Sequence, residues 1–276
     1  MMGGGFTPFH RFRLGGFEVT TLLAGSRAID NPQGIFGLNV SAEEFAAVSA
    51  AHFLPADRSQ NFFTPTVVNT GAELVLFDTG LAAPATQAAL AAAGYAPGQV
   101  DVVVLSHMHG DHIGGMRHEG AAAYPNARYV TGAVEHNHWT AAGNEGFVNN
   151  VVPFNDQMTF LDDAGSVAPG ITAMALPGHT PGHMGYMVES EGARLVLMAD
   201  AANHYVWSVG RPDWEVRFDA DKAQAAATRR RLLGMLASER IPVIGYHMPF
   251  PAIGHVEAQG DGFRYVPASY QFMLAG

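Results

Sequence analysis

Cysteine is absent and lysine occurs once, at Lys222. Without thiols there is no disulfide from which to read a redox compartment, and any metal must be held by histidine and carboxylate. The formal net charge is -10 and lysine and arginine together number 15, so the chain lacks the basic surface that displaces counterions from a phosphate backbone. A nucleic-acid partner is therefore not expected. Charged residues make up 14% of the sequence and hydrophobic residues 48%, which is too little charge for a disordered chain and enough apolar material for a large core. No uncharged apolar stretch reaches the roughly 18 residues that suggest a membrane span, and the segment before Phe17 has no signal-peptide core. No membrane partner is expected, and the cytoplasm is the default compartment, although a periplasmic protein stripped of its leader would read the same way.

What is present is an alternation of short apolar runs with alanine-rich stretches. Strands are expected over residues 17–23, 66–69, 74–77, 102–105, 128–130, 171–176, 185–188, 195–198 and 242–245. Helices are expected over 42–51, 84–93, 133–142 and 219–238, the last with Asp219 as its cap and its arginines toward the end. Hairpin-like turns join the early strands and helices join the later ones, which implies an α/β chain with mixed sheets covered by helices. A four-layer αβ/βα sandwich fits that pattern. No repeat or Pro/Ser-rich linker divides the chain, so residues 1–276 read as one domain. Residues 143–157 form the longest stretch without periodicity and are expected to be a binding loop or lid.

Chemistry concentrates where the apolar run Val102 to Leu105 ends in Ser106-His107-Met108-His109-Gly110-Asp111-His112-Ile113-Gly114-Gly115. Ligands bind at the carboxyl edge of an α/β sheet, and four ligand-type side chains within six positions suit zinc, iron, manganese or cobalt. Two adjacent ions can share such a loop.

This run resembles the H-x-H-x-D-H signature of the metallo-β-lactamase superfamily, and the rest of the chain offers similar elements in the same order. Asp78-Thr79-Gly80 resembles the early D-T-G element, and Pro177-Gly178-His179-Thr180-Pro181-Gly182-His183 resembles the P-G-H-T-P-G-H segment. Two apolar runs, 195–198 and 243–245, are followed closely by Asp200 and His247, in the places of the bridging carboxylate and the last histidine; His247 is preferred to nearby His255 because a ligand at a strand end is better fixed. In the family the second histidine of the P-G-H-T-P-G-H segment is taken as the ligand, which selects His183 and leaves His179 to shape the loop.

The resemblance implies two divalent ions per chain, zinc foremost with cobalt, manganese or iron as alternatives. One would be held by His107, His109 and His183, the other by Asp111, His112 and His247, with Asp200 between them. A bridging hydroxide would be the nucleophile, Asp111 and Asp200 would be the catalytic carboxylates, and Asp78 would orient a ligand histidine. His118, His136 and His138 are expected to be surface or helix residues.

Class B1 and B2 β-lactamases require a cysteine ligand and the B3 type usually lacks the aspartate seen at Asp200, so antibiotic hydrolysis is disfavoured. A glyoxalase-II-like thioesterase is the alternative, but its basic C-terminal grip is represented only by Arg264. The segments 245–255, 262–267 and 12–21 resemble the branch containing methyl parathion hydrolase, lactonases and arylesterases. That implies a small hydrophobic ester or lactone as substrate, organophosphate triester hydrolysis as a side activity, and a homodimer with Phe6 and Phe9 near its interface. A metal-binding relative without catalysis is the remaining class. Trp139, Phe147 and Phe154 are the expected substrate-binding aromatics, with Tyr205 and Trp207 as further candidates, and Asn203 or His204 as possible aids to the leaving group.

Overall fold

The structure is a computed structural model and describes residues 7–273. Strands β1 (Phe9–Leu14) and β2 (Phe17–Leu22) form a hairpin, and β3 (Gly25–Asp30) pairs with β4 (Arg58–Phe63) across an excursion that contains α1 (Ala42–Ala51). Strands β5 (Thr66–Asn69) and β6 (Leu74–Phe77) follow, then α2 (Ala83–Ala92) and β7 (Val102–Val104), which lies parallel to β6. The four-residue α3 (Gly110–Ile113) and the short ladder β8 (Arg117–His118) with β9 (Ala121–Ala122) lead to β10 (Arg128–Gly132). Helices α4 (Ala133–Ala142) and α5 (Glu145–Asn150) then connect to β11 (Met158–Leu161), parallel to β10.

The second half runs through β12 (Ser166–Ala168), β13 (Ile171–Ala175), β14 (Met184–Ser190), β15 (Ala193–Ala199), α6 (Lys222–Glu239), β16 (Val243–Gly245), β17 (Ile253–Gln259) and β18 (Gly262–Pro267). Two seven-stranded mixed sheets result, ordered β1-β2-β5-β6-β7-β10-β11 and β12 through β18 in sequence order.

Side-chain alternation in the first sheet explains the layers. Val75, Phe77, Val102, Val104 and Val130 point into the core shared with Ala173, Tyr186 and Val188 of the second sheet. Their neighbours Leu76, Val103 and Tyr129 point the other way, against Leu90 of α2, Ile113 of α3 and Phe147 of α5. Helix α6 lays Leu232, Leu233 and Leu236 into the core alongside the second sheet. Each such buried side chain contributes about 1.5–3 kcal/mol relative to exposure. Helix, sheet, sheet and helix are the expected four layers. A third cluster, with Phe36, Phe45, Trp207 and Trp214, holds the α1 excursion against the segment after β15.

Three local expectations are corrected. Residues 143–157 are not an open loop: they form α5 and a 3-10 turn (Val152–Gln157), because Phe147 and Phe154 are drawn into the core beneath the first sheet, 1% and 5% exposed. Helix α6 is capped by Asp221, whose side chain accepts from Gln224 N at 2.9 Å, and not by Asp219, which turns inward. The hairpin β3/β4 was missed, since its strands carry Ser26, Arg27, Ser59, Gln60 and Asn61 where an apolar alternation would be sought. Phe9 packs partly buried against the cluster under the first sheet, while Phe6 lies outside the described residues.

Candidate metal centre

The buried strand β7 ends at Val104, and the chain turns through Leu105 and Ser106 into His107, with His109 as the N-cap residue of α3. At the end of α3 two glycines let a neighbouring loop approach closely. A Cβ at Gly114 would lie 2.2 Å from Leu81 O, and one at Gly115 would lie 2.0 Å from Thr79 O. The loop after β6 is thereby fixed against α3, with Asp78 in the left-handed region at φ 58.

Three imidazoles converge at the far end of this turn. His107 Nε2 and His109 Nδ1 are 3.0 Å apart, and His179 Nε2 is 3.0 Å from the same His109 nitrogen. Such spacings approach the roughly 3.4 Å edge of a tetrahedron whose bonds are about 2.1 Å long, the geometry of a zinc-type ion. Beside them stands a second group of Asp111, His112 and His247, with His247 Nε2 at 3.3 Å and His112 Nε2 at 3.7 Å from Asp111 Oδ2. Asp200 lies between the two groups. Its Oδ2 is 3.4 Å from His179 Nε2 and 3.1 Å from His247 Nε2, and its Oδ1 is 3.4 Å from His112 Nε2. Buried and without a hydrogen-bond partner, His112 Nε2 and Asp200 Oδ1 are atoms that a cation would satisfy.

The far nitrogen of several rings is held by the protein. Asp78 Oδ2 accepts from His112 Nδ1 at 2.9 Å and from Ser106 Oγ at 2.8 Å, while its Oδ1 accepts from Ser106 N at 2.8 Å. His179 Nδ1 donates to Asp219 Oδ1 at 2.9 Å, and Asp219 Oδ2 accepts from the buried Arg229 at the same distance. His247 Nδ1 donates to Phe62 O at 2.7 Å. In each case the Nε2 is left facing the centre, the arrangement that orients metal-binding histidines.

Electrostatics divides the groups in the same way. Burial, with the other imidazoles adding to it, drives His107 well below its ordinary range and His109 down to about 4, so both are neutral donors. Burial opposes charge on His112 and His247 as well, but Asp78, Asp200 and Asp111 outweigh it around His112, and Asp200 and Asp111 raise His247 to about 10. Burial would also raise both aspartates; His112 and His247 instead bring Asp111 down to about 2 and hold Asp200 well below the usual carboxylate range.

Residues 64–242 match the family described as the metallo-beta-lactamase superfamily, a span that contains six of the seven clustered side chains. The chain belongs to that superfamily. An N-acyl homoserine lactonase from Bacillus cereus is 28% identical over 175 residues, which is 63% of this chain and 63% of that protein. The chain thus spans somewhat under two thirds of the length of the curated relatives it matches. Among solved structures, AidC, a dizinc quorum-quenching lactonase in complex with a product, N-hexnoyl-L-homoserine, superposes with TM-score 0.86 at 24% identity, covering 95% of this chain and 98% of that one. The hydrolase AbOPH gives TM-score 0.88 at 24% identity, with 97% and 100% covered.

Within this superfamily member the P-G-H-T-P-G-H segment resolves against the expectation from sequence. His183 stands outside the ligand groups: its Nδ1 donates to Leu176 O at 3.1 Å and its Nε2 accepts from Asp200 N at 3.1 Å, so both ring nitrogens are engaged by backbone. His179 takes the place beside His107 and His109. The structure brings His107, His109, Asp111, His112, Asp200 and His247 together as expected and sets Asp78 behind His112.

The centre opens on a cleft of about 670 Å³ whose apolar wall includes Ile29, Phe36, Phe63, Leu81, Val216 and Phe218. Phe147 and Phe154 are core residues, so their expected substrate contact is withdrawn. Trp139 does not line the cleft; its ring stands perpendicular to that of His109, with centroids 5.7 Å apart, and its Nε1 donates to Glu135 Oε1 at 2.7 Å. Trp207 is buried and bonded to Ser49 Oγ, and His204 stacks on it while its Nδ1 accepts from Val206 N and Trp207 N. Asn203 does reach the cleft, donating to Asp200 Oδ2 at 3.1 Å. The true wall went unseen because β3 and β4 carry few apolar residues and Phe218 stands between elements.

Proposed function

We propose that this protein is a two-metal hydrolase of lactones, with N-acyl homoserine lactones as the favoured substrates. The observation that carries the reading is the pair of ligand groups sharing Asp200 on the floor of an apolar-walled cleft. Its support from relatives is that N-acyl homoserine lactonases and a dizinc lactonase are among the proteins this chain resembles.

His107, His109 and His179 would hold one ion and Asp111, His112 and His247 the other, with Asp200 reaching both. When bound, such ions polarise an ester carbonyl and bring the pKa of coordinated water toward about 7. The chain's own residues do the rest. Asp78, the Asp219–Arg229 pair and the Phe62 carbonyl keep the imidazoles of His112, His179 and His247 aimed at the centre. Asp111, whose side chain is 23% exposed and borders the cleft, would orient the attacking water and carry its proton to the leaving alcohol. Phe36, Phe63, Leu81 and Phe218 give an acyl chain an apolar surface and keep bulk water from the carbonyl.

Aryl-ester and organophosphate hydrolysis would follow as slower reactions of the same nucleophile. The test is a rank order of kcat/KM across N-hexanoyl homoserine lactone, dihydrocoumarin, phenyl acetate, a paraoxon-type triester and a glutathione thioester. The lactones are expected to lead; a dominant glutathione thioester would replace this reading with a thioesterase.

A further inference from the structure

Glu135 is a carboxylate with no solvent exposure, on the first turn of α4, and it accepts four hydrogen bonds. Oε1 takes Met108 N at 3.0 Å and Trp139 Nε1 at 2.7 Å. Oε2 takes Thr180 Oγ1 at 2.7 Å and Gly182 N at 3.0 Å. Met108 is the residue between His107 and His109, and Thr180 immediately follows His179. One side chain therefore ties together the two loops that carry the first imidazole group, and through Trp139 it also places an indole ring perpendicular to His109. The loop of His179 is also seated on that helix end by shape, since a Cβ at Gly182 would lie 2.1 Å from Glu135 N. The second group has its own supports: Asp78 behind His112, Phe62 O behind His247, and Tyr246 Oη donating to Asp111 O at 2.5 Å.

A buried carboxylate without a cationic partner is costly unless donors surround it, and its burial is stabilised here entirely by those four bonds. Burial still leaves its pKa above the ordinary glutamate range, so the bonds offset the cost without cancelling it. A core position that needed only packing would be filled at less cost by leucine or methionine.

We propose that Glu135 is a positioning residue that pre-assembles the His107, His109 and His179 group for its metal ion and leaves the Asp111, His112 and His247 group largely independent of it. The proposal rests on the two-metal reading of the centre but not on the identity of the substrate.

The test is stepwise zinc affinity of the full-length chain, measured by chelator competition from the metal-free state. His179→Ala serves to assign which step belongs to the first group, and metal-free melting temperature is followed in parallel. In Glu135→Gln the nitrogen that replaces one carboxylate oxygen can no longer accept two donors, so the first-group step should weaken by roughly 10- to 100-fold while the other stays within about threefold. Trp139→Phe keeps a ring beside His109 but removes one donor, and should weaken the same step by a smaller factor even if Glu135→Gln does not fold. Equal weakening of both steps would show a merely structural carboxylate and overturn the proposal, as would unchanged affinities in a folded variant. A wild-type chain that takes up no zinc would remove the two-metal reading and this proposal together, whereas failure to hydrolyse lactones would leave the affinity comparison standing.

Discussion

At the scale of single residues, the fate of a ring nitrogen decides whether a histidine can be a ligand. His179 and His183 lie one turn of loop apart, but only His179 keeps a nitrogen free of the backbone. His179→Ala is therefore expected to lose one metal equivalent and at least ~100-fold in lactone hydrolysis. His183→Ala should keep both ions and instead lose about 1–3 kcal/mol of stability, as Asp200 N and Leu176 O lose their partner. Metal analysis and denaturant unfolding of the two variants separate the roles; metal loss in His183→Ala alone would reverse them. The choice was not legible in the sequence because both histidines sit in one motif and each follows Pro-Gly. The compact run from His107 to His112 was legible, since its spacing alone brings four donors to one strand end.

A pH dependence follows at the same scale. In the metal-free centre the surrounding carboxylates hold a proton on His112 and on His247, the latter up to about 10. An ion can bind only the neutral rings, so metal uptake must release those protons, and affinity must fall as pH drops below the folded pKa. Calorimetry at pH 7.5 in buffers of different ionisation enthalpy should show between one and two protons released per chain loaded. Uptake with no proton release would contradict the charge assignment.

At the scale of elements, the hairpin β3/β4 and the segment around Phe218 shape what enters the cleft. Phe218 is 54% exposed and has apolar surface left to cover. Phe218→Ala is expected to raise KM for decanoyl homoserine lactone by roughly 10-fold with kcat little changed, because the lost contact serves ground state and transition state alike. A fall in kcat at constant KM would place Phe218 at the reacting carbonyl instead. These walls were hidden from sequence because a strand that lines a polar-mouthed cleft loses its apolar alternation, as Arg27, Asp30 and Asn61 show. The opposite error, at Phe147 and Phe154, came from reading aperiodic sequence as open loop. Two short turns bury both rings without any repeating pattern. Helix α6 was readable, but its cap was not: Asp219 and Asp221 both precede it, and only the inward pull of Arg229 and His179 tells them apart.

At the scale of the molecule, the centre lies where the two sheets meet along one edge. The first sheet supplies Asp78 after β6 and the run from His107 to His112 after β7; the second supplies His179 between β13 and β14, Asp200 after β15 and His247 after β16. Ions bound there would link the two halves of the sandwich. The alternation of strands and helices was visible in the apolar pattern. The pairing order was not, because buried valine runs such as Val102–Val104 carry no mark of their neighbours.

His107, His109, Asp111, His112, His179, Asp200 and His247 are proposed to form one two-metal hydrolytic centre. Metal content per chain, measured on protein purified without added metal and paired with N-hexanoyl homoserine lactone hydrolysis before and after chelation, tests it most directly. About two equivalents are expected, with activity lost on chelation and restored by zinc, cobalt or manganese. One equivalent or fewer after metal is resupplied, or hydrolysis indifferent to chelation, would contradict it.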